Sequence, residues 1–279
     1  MVKWAKFLGV SRSGYYEWLK KREERAAKER AYSEKVKGIF DESGGTYGPD
    51  RICGVMRHEG HKSSYPKVAR FMSEMNLSSV HNRYRSRSLT DSRKARDDSF
   101  KNLVREKEFS LPYQAVCSDI SYLKTGEGFL YLCIIKDIVT KEILGFSTSD
   151  RLKKELVIKA FLNAQARHPL GSGTIFHSDR GSQYTSKDFI STLERLGISQ
   201  SFSRVGMPGD NTWAESFFAS FKKERIHFNH FATRDEADFE TFAWIEGFYN
   251  TKRVQKKLGY VSPREYRLNL ISQSEYSVA

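Results

Sequence analysis

Residues 115–136 have the sequence AVCSDISYLKTGEGFLYLCIIK, in which two apolar runs flank a short turn that contains glycine. The runs 115–122 and 129–136 have the length and the β-branched and aromatic content of buried strands. Thr125-Gly126-Glu127-Gly128 supplies the turn between them. The stretch therefore predicts a β-hairpin, and it places one acid, Asp119, inside the first strand.

The residues after this hairpin alternate between strand and helix patterns. We predict a third strand over 143–148, a helix over 156–164, a fourth strand over 174–178, a helix over 186–196 and a fifth strand over 198–203. Two long helices, over 211–229 and 233–250, follow. The order βββαβαβα is that of a mixed α/β domain, and it resembles an RNase H-like sheet flanked by helices.

The N-terminal part of the chain predicts helices. We predict a helix-turn-helix pattern from a helix over 2–8, a turn beginning at Gly9 and a serine-capped helix over 14–19. The alternative interpretation of the same residues is two packed surface helices. Residues 20–37 suit a solvated linking helix, and a second pattern of the same kind is expected within 49–75. We predict five segments. Residues 1–37 form a first helix-turn-helix with its linking helix, and residues 38–80 form a second such unit. Residues 81–110 form a basic linker arm, residues 111–250 an RNase H-like core and residues 251–279 a C-terminal tail.

The charge of the chain is unevenly distributed. Its formal net charge is +13, from 47 Lys and Arg against 34 Asp and Glu. Residues 1–110 hold 25 of the basic and 15 of the acidic residues, so most of the excess precedes the α/β core. A basic excess of this size indicates a polyanionic partner, and nucleic acid is the usual one.

Residues 81–96 are the most basic stretch, with six basic residues, one acid and no apolar periodicity. Such a run is either a solvated loop or an arm that lies along phosphates. Alternation of arginine with an interleaved tyrosine favours the arm. We therefore expect Arg83, Arg85 and Arg87 to contact nucleic acid.

Other features of the sequence disfavour secreted, membrane and zinc-binding proteins. The three cysteines, Cys53, Cys117 and Cys133, form no CxxC pair, so a reducing compartment is expected. The longest apolar run, 129–135, is far shorter than the roughly 20 residues of a membrane span. We expect a soluble cytoplasmic protein without a membrane partner. Cys53 lies near two histidines, but without a fourth ligand these residues do not predict a zinc site.

Three acids stand where strands and a helix can build a metal site. Asp119 interrupts an apolar strand, which is costly unless the carboxylate is exposed or holds a cation. Asp179 ends the fourth strand, where ligand groups concentrate, and Glu215 lies in the first turns of the next long helix. Carboxylates from these elements suit Mg²⁺, and two such ions would activate a water or a 3′-hydroxyl for phosphodiester displacement. Taken one at a time, the acids also have structural explanations. Asp119 could be an acid at a strand edge, Asp179 a helix cap and Glu215 a salt-bridge partner.

The spacing of these acids resembles that of the integrase core of DDE transposases and retroviral integrases. Asp119 precedes Asp179 by 60 positions, and 35 residues separate Asp179 from Glu215. The resemblance narrows to the OrfB transposases of bacterial insertion sequences, in the group named after insertion sequence three. It rests on runs that keep the family's order along almost the whole chain: LGVSRSGYY at 8–16, YG at 47–48, RI at 51–52, SDISY at 118–122, HSDRGSQY at 177–184, AESFF at 214–218, KKE at 222–224, YN at 249–250, LGY at 258–260 and Pro263.

This resemblance implies an Mg²⁺-dependent DNA strand-transferase, with Mn²⁺ as a substitute, that cuts element ends and joins their 3′-hydroxyls to target DNA. It makes Asp119, Asp179 and Glu215 the metal-binding catalytic triad, with two ions expected. Lys222 lies two helical turns after Glu215 and matches a basic position of the family, so it would hold an end phosphate; a solvated helix lysine is the alternative. Arg12, in the first helix-turn-helix pattern, is a further expected DNA contact.

The resemblance also implies partners. Relatives act as multimers on paired ends, so we expect a homo-oligomer on element ends and target DNA in the bacterial nucleoid. A heptad region and recognition helices come from a preceding reading frame in relatives, so the product of such a frame, fused or separate, is another expected partner. Two other functions stay open: a catalytically silent DNA-binding regulator, and an RNase H-like nuclease that hydrolyses without strand transfer.

Some residues depart from the family pattern or stand outside its triad. Val116 replaces a frequent tryptophan, and Gln255 replaces the histidine that usually follows the Tyr-Asn pair. Asp137, at the end of the second strand, matches a family acid that is not part of the triad. His177 is expected to pack beside Asp179 rather than to bind metal.

Overall fold

The computed structural model describes residue 9 and residues 11–83, 101–204 and 208–276. The chain forms two compact units, residues 1–83 and residues 84–279. The division falls inside the predicted basic arm, so the helical and the α/β parts of the sequence belong to different units. No described helix is long and apolar enough to cross a membrane.

The described residues of the first unit form four helices: α1 Arg12–Glu42, α2 Pro49–His58, α3 Tyr65–Glu74 and α4 Val80–Arg83. Ser11 caps α1 as predicted, because its hydroxyl accepts a hydrogen bond from the Gly14 amide at 3.0 Å. The helix predicted over 2–8 lies outside the described residues.

Helix α1 is a correction to the prediction, because it joins the expected short helix and linking helix into one and crosses the boundary predicted between residues 37 and 38. Residues 15–37 contain neither glycine nor proline to end it. Its later turns pack with the following helices: Tyr32 lies 5.2 Å from Phe71 between ring centroids and hydrogen-bonds Ser63 at 2.7 Å. The second predicted helix-turn-helix unit therefore includes part of the segment that was predicted as the first one.

The second unit contains a five-stranded sheet: β1 Ala115–Thr125, β2 Gly128–Asp137, β3 Ile143–Ser149, β4 Ile175–Ser178 and β5 Ser199–Phe202. The spatial order is β3-β2-β1-β4-β5. The first three strands are antiparallel, whereas β4 pairs in parallel with both β1 and β5. This arrangement confirms the predicted RNase H-like α/β fold.

Helices cover both faces of the sheet: α5 Lys154–Gln165, α6 Lys187–Arg195, α7 Thr212–Glu224 and α8 Arg234–Trp244. One buried cluster joins the β1 and β2 residues Cys117 and Ile134 to Phe217 and Phe221 of α7. A second cluster on the opposite face packs against α5 and α6. Gly145 permits the close contact of β3 with α5, because a Cβ atom there would lie 2.4 Å from the Ala164 nitrogen.

Residues 251–279, predicted as a tail, pack on the core over their described part. Asn250 first donates to and accepts from the Ile143 backbone, both at 2.9 Å. Helix α9 Pro263–Tyr276 then brings Arg264 and Arg267 to the buried Glu142. This buried carboxylate of the core needs cationic partners, and they come from the segment that we predicted as a tail.

Candidate active site

Asp119 and Asp179 lie at the same level of two adjacent strands. The parallel register of β1 and β4 pairs Cys117 with His177, and each acid follows two residues later. Asp119 accepts a hydrogen bond from the Ile120 amide at 2.8 Å, and Asp179 accepts one from the Gly181 amide at 3.0 Å. The fold therefore brings together two acids that are 60 residues apart in sequence.

Glu215 lies in the first turn of α7, which two polar contacts tie to the sheet beside Asp119. Asn211, the residue before the helix, donates through Nδ2 to the Ser118 carbonyl at 3.0 Å. Lys136 of β2 donates to the Trp213 carbonyl at 2.6 Å. Sequence reasoning missed both contacts; the one available signal was a lysine at the end of the buried apolar run of β2.

Aromatic residues pack α7 against the sheet. Phe217 and Phe218 are buried, and Trp213 is partly buried with its ring 6.2 Å from that of His177. Glu215 itself is exposed at the surface of the helix. The start of α7 is thus fixed on the sheet while the Glu215 side chain keeps access to solvent.

The three acids interact electrostatically. Burial raises the pKa of Asp119 to about 7, and the negative charges of Asp179 and Glu215 add to that rise. The Ile120 amide and the Lys222 ammonium act in the opposite direction on the same pKa. Desolvation also raises the pKa of Asp179 and of Glu215. A cation among these carboxylates would relieve the repulsion that raises the Asp119 pKa.

The donor set suits a hard divalent cation by its chemistry, and two of its members are already adjacent. Within the described residues, however, no three His, Cys, Asp or Glu side chains are gathered closely enough to hold a metal ion. Asp119 lies within β1, Asp179 follows the end of β4, and the exposed Glu215 is near enough for its charge to act on Asp119. The three carboxylates fit such an ion by the chemistry of their donor atoms.

Lys222 lies in the last turn of α7 and over β1. Its ammonium is 5.6 Å from the centroid of the Tyr122 ring. Partial burial lowers the pKa of Lys222, and the charge of Asp119 raises it. The structure therefore places this predicted phosphate ligand within electrostatic range of the first acid.

Two of the other predicted DNA contacts, Arg12 and Arg83, belong to the first unit. Arg12 is the exposed first residue of α1, with its guanidinium 5.9 Å from the Tyr16 ring centroid. Arg83 is the last residue of α4. Arg85 and Arg87 lie outside the described residues.

Asp137 and His177 have structural partners that account for their positions. The buried Asp137 carboxylate accepts hydrogen bonds from the amides of Tyr113, Val139 and Thr140 and from the Thr140 hydroxyl, at 2.7 to 3.0 Å. The buried His177 bonds Ser201 through Nδ1 and the Asp210 carbonyl through Nε2. Asp137 therefore stabilises the turn after β2, and both ring nitrogens of His177 make hydrogen bonds.

Comparison with protein families identifies an integrase core in the second unit. A family model described as an integrase core domain matches residues 110–208, and a second model of the same description matches residues 215–270. A model described as an HTH-like domain matches residues 27–85. That last match spans parts of both predicted helix-turn-helix units, in agreement with the continuous helix α1.

Curated relatives are similar over most of the chain. The transposase for insertion sequence element IS904 of Lactococcus lactis is 38% identical over 84% of this chain and 92% of the relative. Transposase InsF for insertion sequence IS3A of Escherichia coli K12 is 33% identical over 93% of this chain and 91% of the relative. Among solved structures, a chain of the simian T-cell lymphotropic virus intasome, in complex with PP2A regulatory subunit B56 gamma, is 15% identical with a TM-score of 0.49, over 79% of this chain and 74% of that one.

The fold and the family models together define a protein with an integrase core and an HTH-like domain. At these levels of identity and coverage, the chain belongs to the family of bacterial insertion-sequence transposases.

Proposed function

We propose that this chain is a DNA transposase that cuts the ends of its element and joins their 3′-hydroxyls to target DNA. Asp119, Asp179 and Glu215 are its catalytic residues in this proposal. The observation that supports it most is the placement of Asp119 and Asp179 at the same level of adjacent strands, with the start of α7 tied to Ser118. The family membership makes DNA the expected substrate.

Each acid has its own role in preparing the site. Asp119 and Asp179 would hold Mg²⁺, with Mn²⁺ as a substitute, and Glu215 would complete the ligand set from α7. Two such ions, when bound, supply activation of the attacking oxygen and stabilisation of the leaving oxygen. The Ile120 and Gly181 amides orient the two aspartates, because each amide donates to an Oδ1 atom. Below a pH of about 7 a proton on Asp119 competes with the cation.

The basic residues position the DNA. Lys222 would bind a phosphate of the element end beside Asp119, and its partial burial limits the geometries that the ammonium can adopt. Phosphates of the DNA backbone would be contacted by Arg12, Arg83, Arg85 and Arg87. Such contacts do not distinguish one base sequence from another. We further propose a homo-oligomer on paired element ends in the bacterial nucleoid, with the product of an upstream reading frame as a fused or separate partner.

One experiment separates this proposal from the two alternative functions. The protein is incubated with a labelled element end, unlabelled target DNA and Mg²⁺ or Mn²⁺. Joined products support the transposase. Cleaved ends without joining identify a nuclease, and a shifted but intact band identifies a catalytically silent DNA-binding regulator.

A further inference from the structure

Three aromatic side chains lie on one face of the β1–β2 hairpin, and one of them, Tyr131, is partly buried against the core. Tyr122 is 56% exposed and Phe129 is 47% exposed, and their rings meet edge to face at 4.9 Å between centroids. The Tyr131 ring is 6.5 Å from that of Phe129. We call Tyr122, Phe129 and Tyr131 the aromatic platform. Exposed rings of this size in contact with one another mark a binding surface.

The antiparallel register shows that the platform lies on a single face of the sheet. Tyr122 pairs with Tyr131, and Lys124 pairs with Phe129, so these four side chains project to the same side. The exposed Lys124 therefore borders the platform. Lys222 borders it from α7, with its ammonium 5.6 Å from the Tyr122 ring centroid. A partner for this surface needs both flat apolar groups and negative charge.

The position of the platform relative to the proposed catalytic acids narrows the partner further. Tyr122 follows Asp119 by three residues on the same strand, which corresponds to about 10 Å, and this odd separation makes the two side chains project to opposite faces of the sheet. Bases stacked along one DNA strand are spaced at about 3.4 Å, so about three nucleotides of a strand that passes Lys222 span the distance between the two positions. Lys222 is within electrostatic range of both features.

We propose that the aromatic platform stacks unpaired bases of the DNA strand that is processed at Asp119, while Lys124 and Lys222 contact the adjacent phosphates. Paired bases inside a duplex present no free ring face, so the site takes nucleotides of a frayed or single-stranded end. Stacking on aromatic side chains is tolerant of sequence, and the contact therefore requires no particular terminal repeat. This inference rests on the proposed function, because it identifies the substrate of the same site as an unpaired DNA end.

The test measures binding of the full chain, without metal, to a short duplex that carries a few unpaired nucleotides at one end. A fluorescent adenine analogue, 2-aminopurine, is placed in the unpaired tail, and a blunt duplex of the same sequence is the reference. We expect the protein to quench the analogue and to prefer the tailed DNA. In a Tyr122→Ala, Phe129→Ala variant the preference for tailed over blunt DNA falls by about 5-fold to 100-fold, and the quenching is lost.

Two further variants serve as controls. Tyr122→Phe keeps the ring, and it keeps both the quenching and the preference. Phe239→Ala removes a ring on α8 that is 68% exposed but lies outside the platform, and it changes neither quantity. A double variant that retains the wild-type preference and quenching overturns the proposal. A double variant that changes only the oligomeric state, measured by light scattering, also overturns it and makes the platform a protein contact.

The outcome is separable from that of the proposed function. If the wild-type protein joins DNA but the tail preference does not depend on the two rings, the platform proposal fails alone. If the preference depends on the rings but no cleavage or joining occurs, the platform stands as a binding site for unpaired DNA and the proposed transposase activity fails.

Discussion

Arg253 and Glu224 form a buried ion pair at 2.5 Å, with side chains that are 4% and 0% exposed. Glu224 ends α7, the helix that carries Glu215 and Lys222, and Arg253 lies in the segment after the core. A second Arg253 contact, through Nε at 2.8 Å, makes the interaction with the carboxylate bidentate. The pair therefore fixes the end of α7, just as Asn211 and Lys136 fix its start.

The Glu224→Gln substitution is expected to lower the free energy of unfolding by about 3 kcal/mol, because it removes the buried carboxylate that pairs with the Arg253 guanidinium. Denaturation by urea measures the change. The matched control is Asp150→Asn, which removes a carboxylate from an exposed pair with Arg151 and is expected to change the free energy by less than about 1 kcal/mol. Equal effects of the two substitutions would contradict the assigned role of the buried pair.

Asp137→Asn separates a structural acid from the proposed catalytic ones. The asparagine side chain has one accepting oxygen where the carboxylate has two. The hydrogen bond that the Tyr113 backbone N–H donates to Oδ2 is therefore lost. We expect stability to fall by about 2 kcal/mol while DNA joining by the folded protein persists at low temperature. Thermal denaturation and the joining assay measure the two quantities. Loss of joining with unchanged stability would instead make Asp137 a catalytic residue.

The raised pKa of Asp119 predicts a dependence of stability on pH. The pKa rises from 3.8 to about 7 on folding, so between these values the native protein binds more protons than the unfolded chain does. The free energy of unfolding therefore falls as the pH increases from about 4 to about 7. Asp119→Asn removes this loss, and without divalent cations the variant should be more stable than the wild type above pH 7, by about 1 to 3 kcal/mol. Denaturation across this pH range checks the difference, and wild-type and variant curves that stay parallel would contradict the prediction.

The basic arm should control the salt dependence of DNA binding. Replacing Arg83, Arg85 and Arg87 with glutamine should reduce the slope of log affinity against log salt by about 2 to 3, because each phosphate contact contributes about 0.9. Fluorescence anisotropy at several salt concentrations measures the slope. The control replaces the exposed Lys159 and Arg195, which lie on α5 and α6. An arm variant with the wild-type slope would make the arm a solvated loop.

Much of the α/β fold could be predicted because its strands are continuous apolar runs. The hairpin around Gly126 and the fifth strand before Ser203 lie within a few residues of their predicted limits. The long helix α1 was harder to predict, since a run of Lys, Arg, Glu and Ala carries no apolar stripe that distinguishes one helix from two. Composition predicts a boundary between residues 37 and 38, and the packing of Tyr32 with Phe71 overrides it.

The candidate site was predictable at the level of its residues and less so at the level of its supports. Asp119 could be identified from the sequence because burying a carboxylate in an apolar strand is costly unless the group is exposed or holds a cation. The pairing of Arg253 with Glu224, by contrast, links positions that share no local pattern, and it appears only when α7 and the C-terminal segment are packed. The same holds for Asn211, whose contact with Ser118 joins a helix start to a distant strand.

Isosteric substitution tests most directly whether the three carboxylates carry out the DNA chemistry. Asp119→Asn, Asp179→Asn and Glu215→Gln are each assayed for joining of a labelled element end in Mg²⁺, with DNA binding followed by gel shift. We expect every variant to bind DNA as the wild type does and none to produce cleaved or joined DNA. Full joining activity in any one of the three would contradict the catalytic role of that residue.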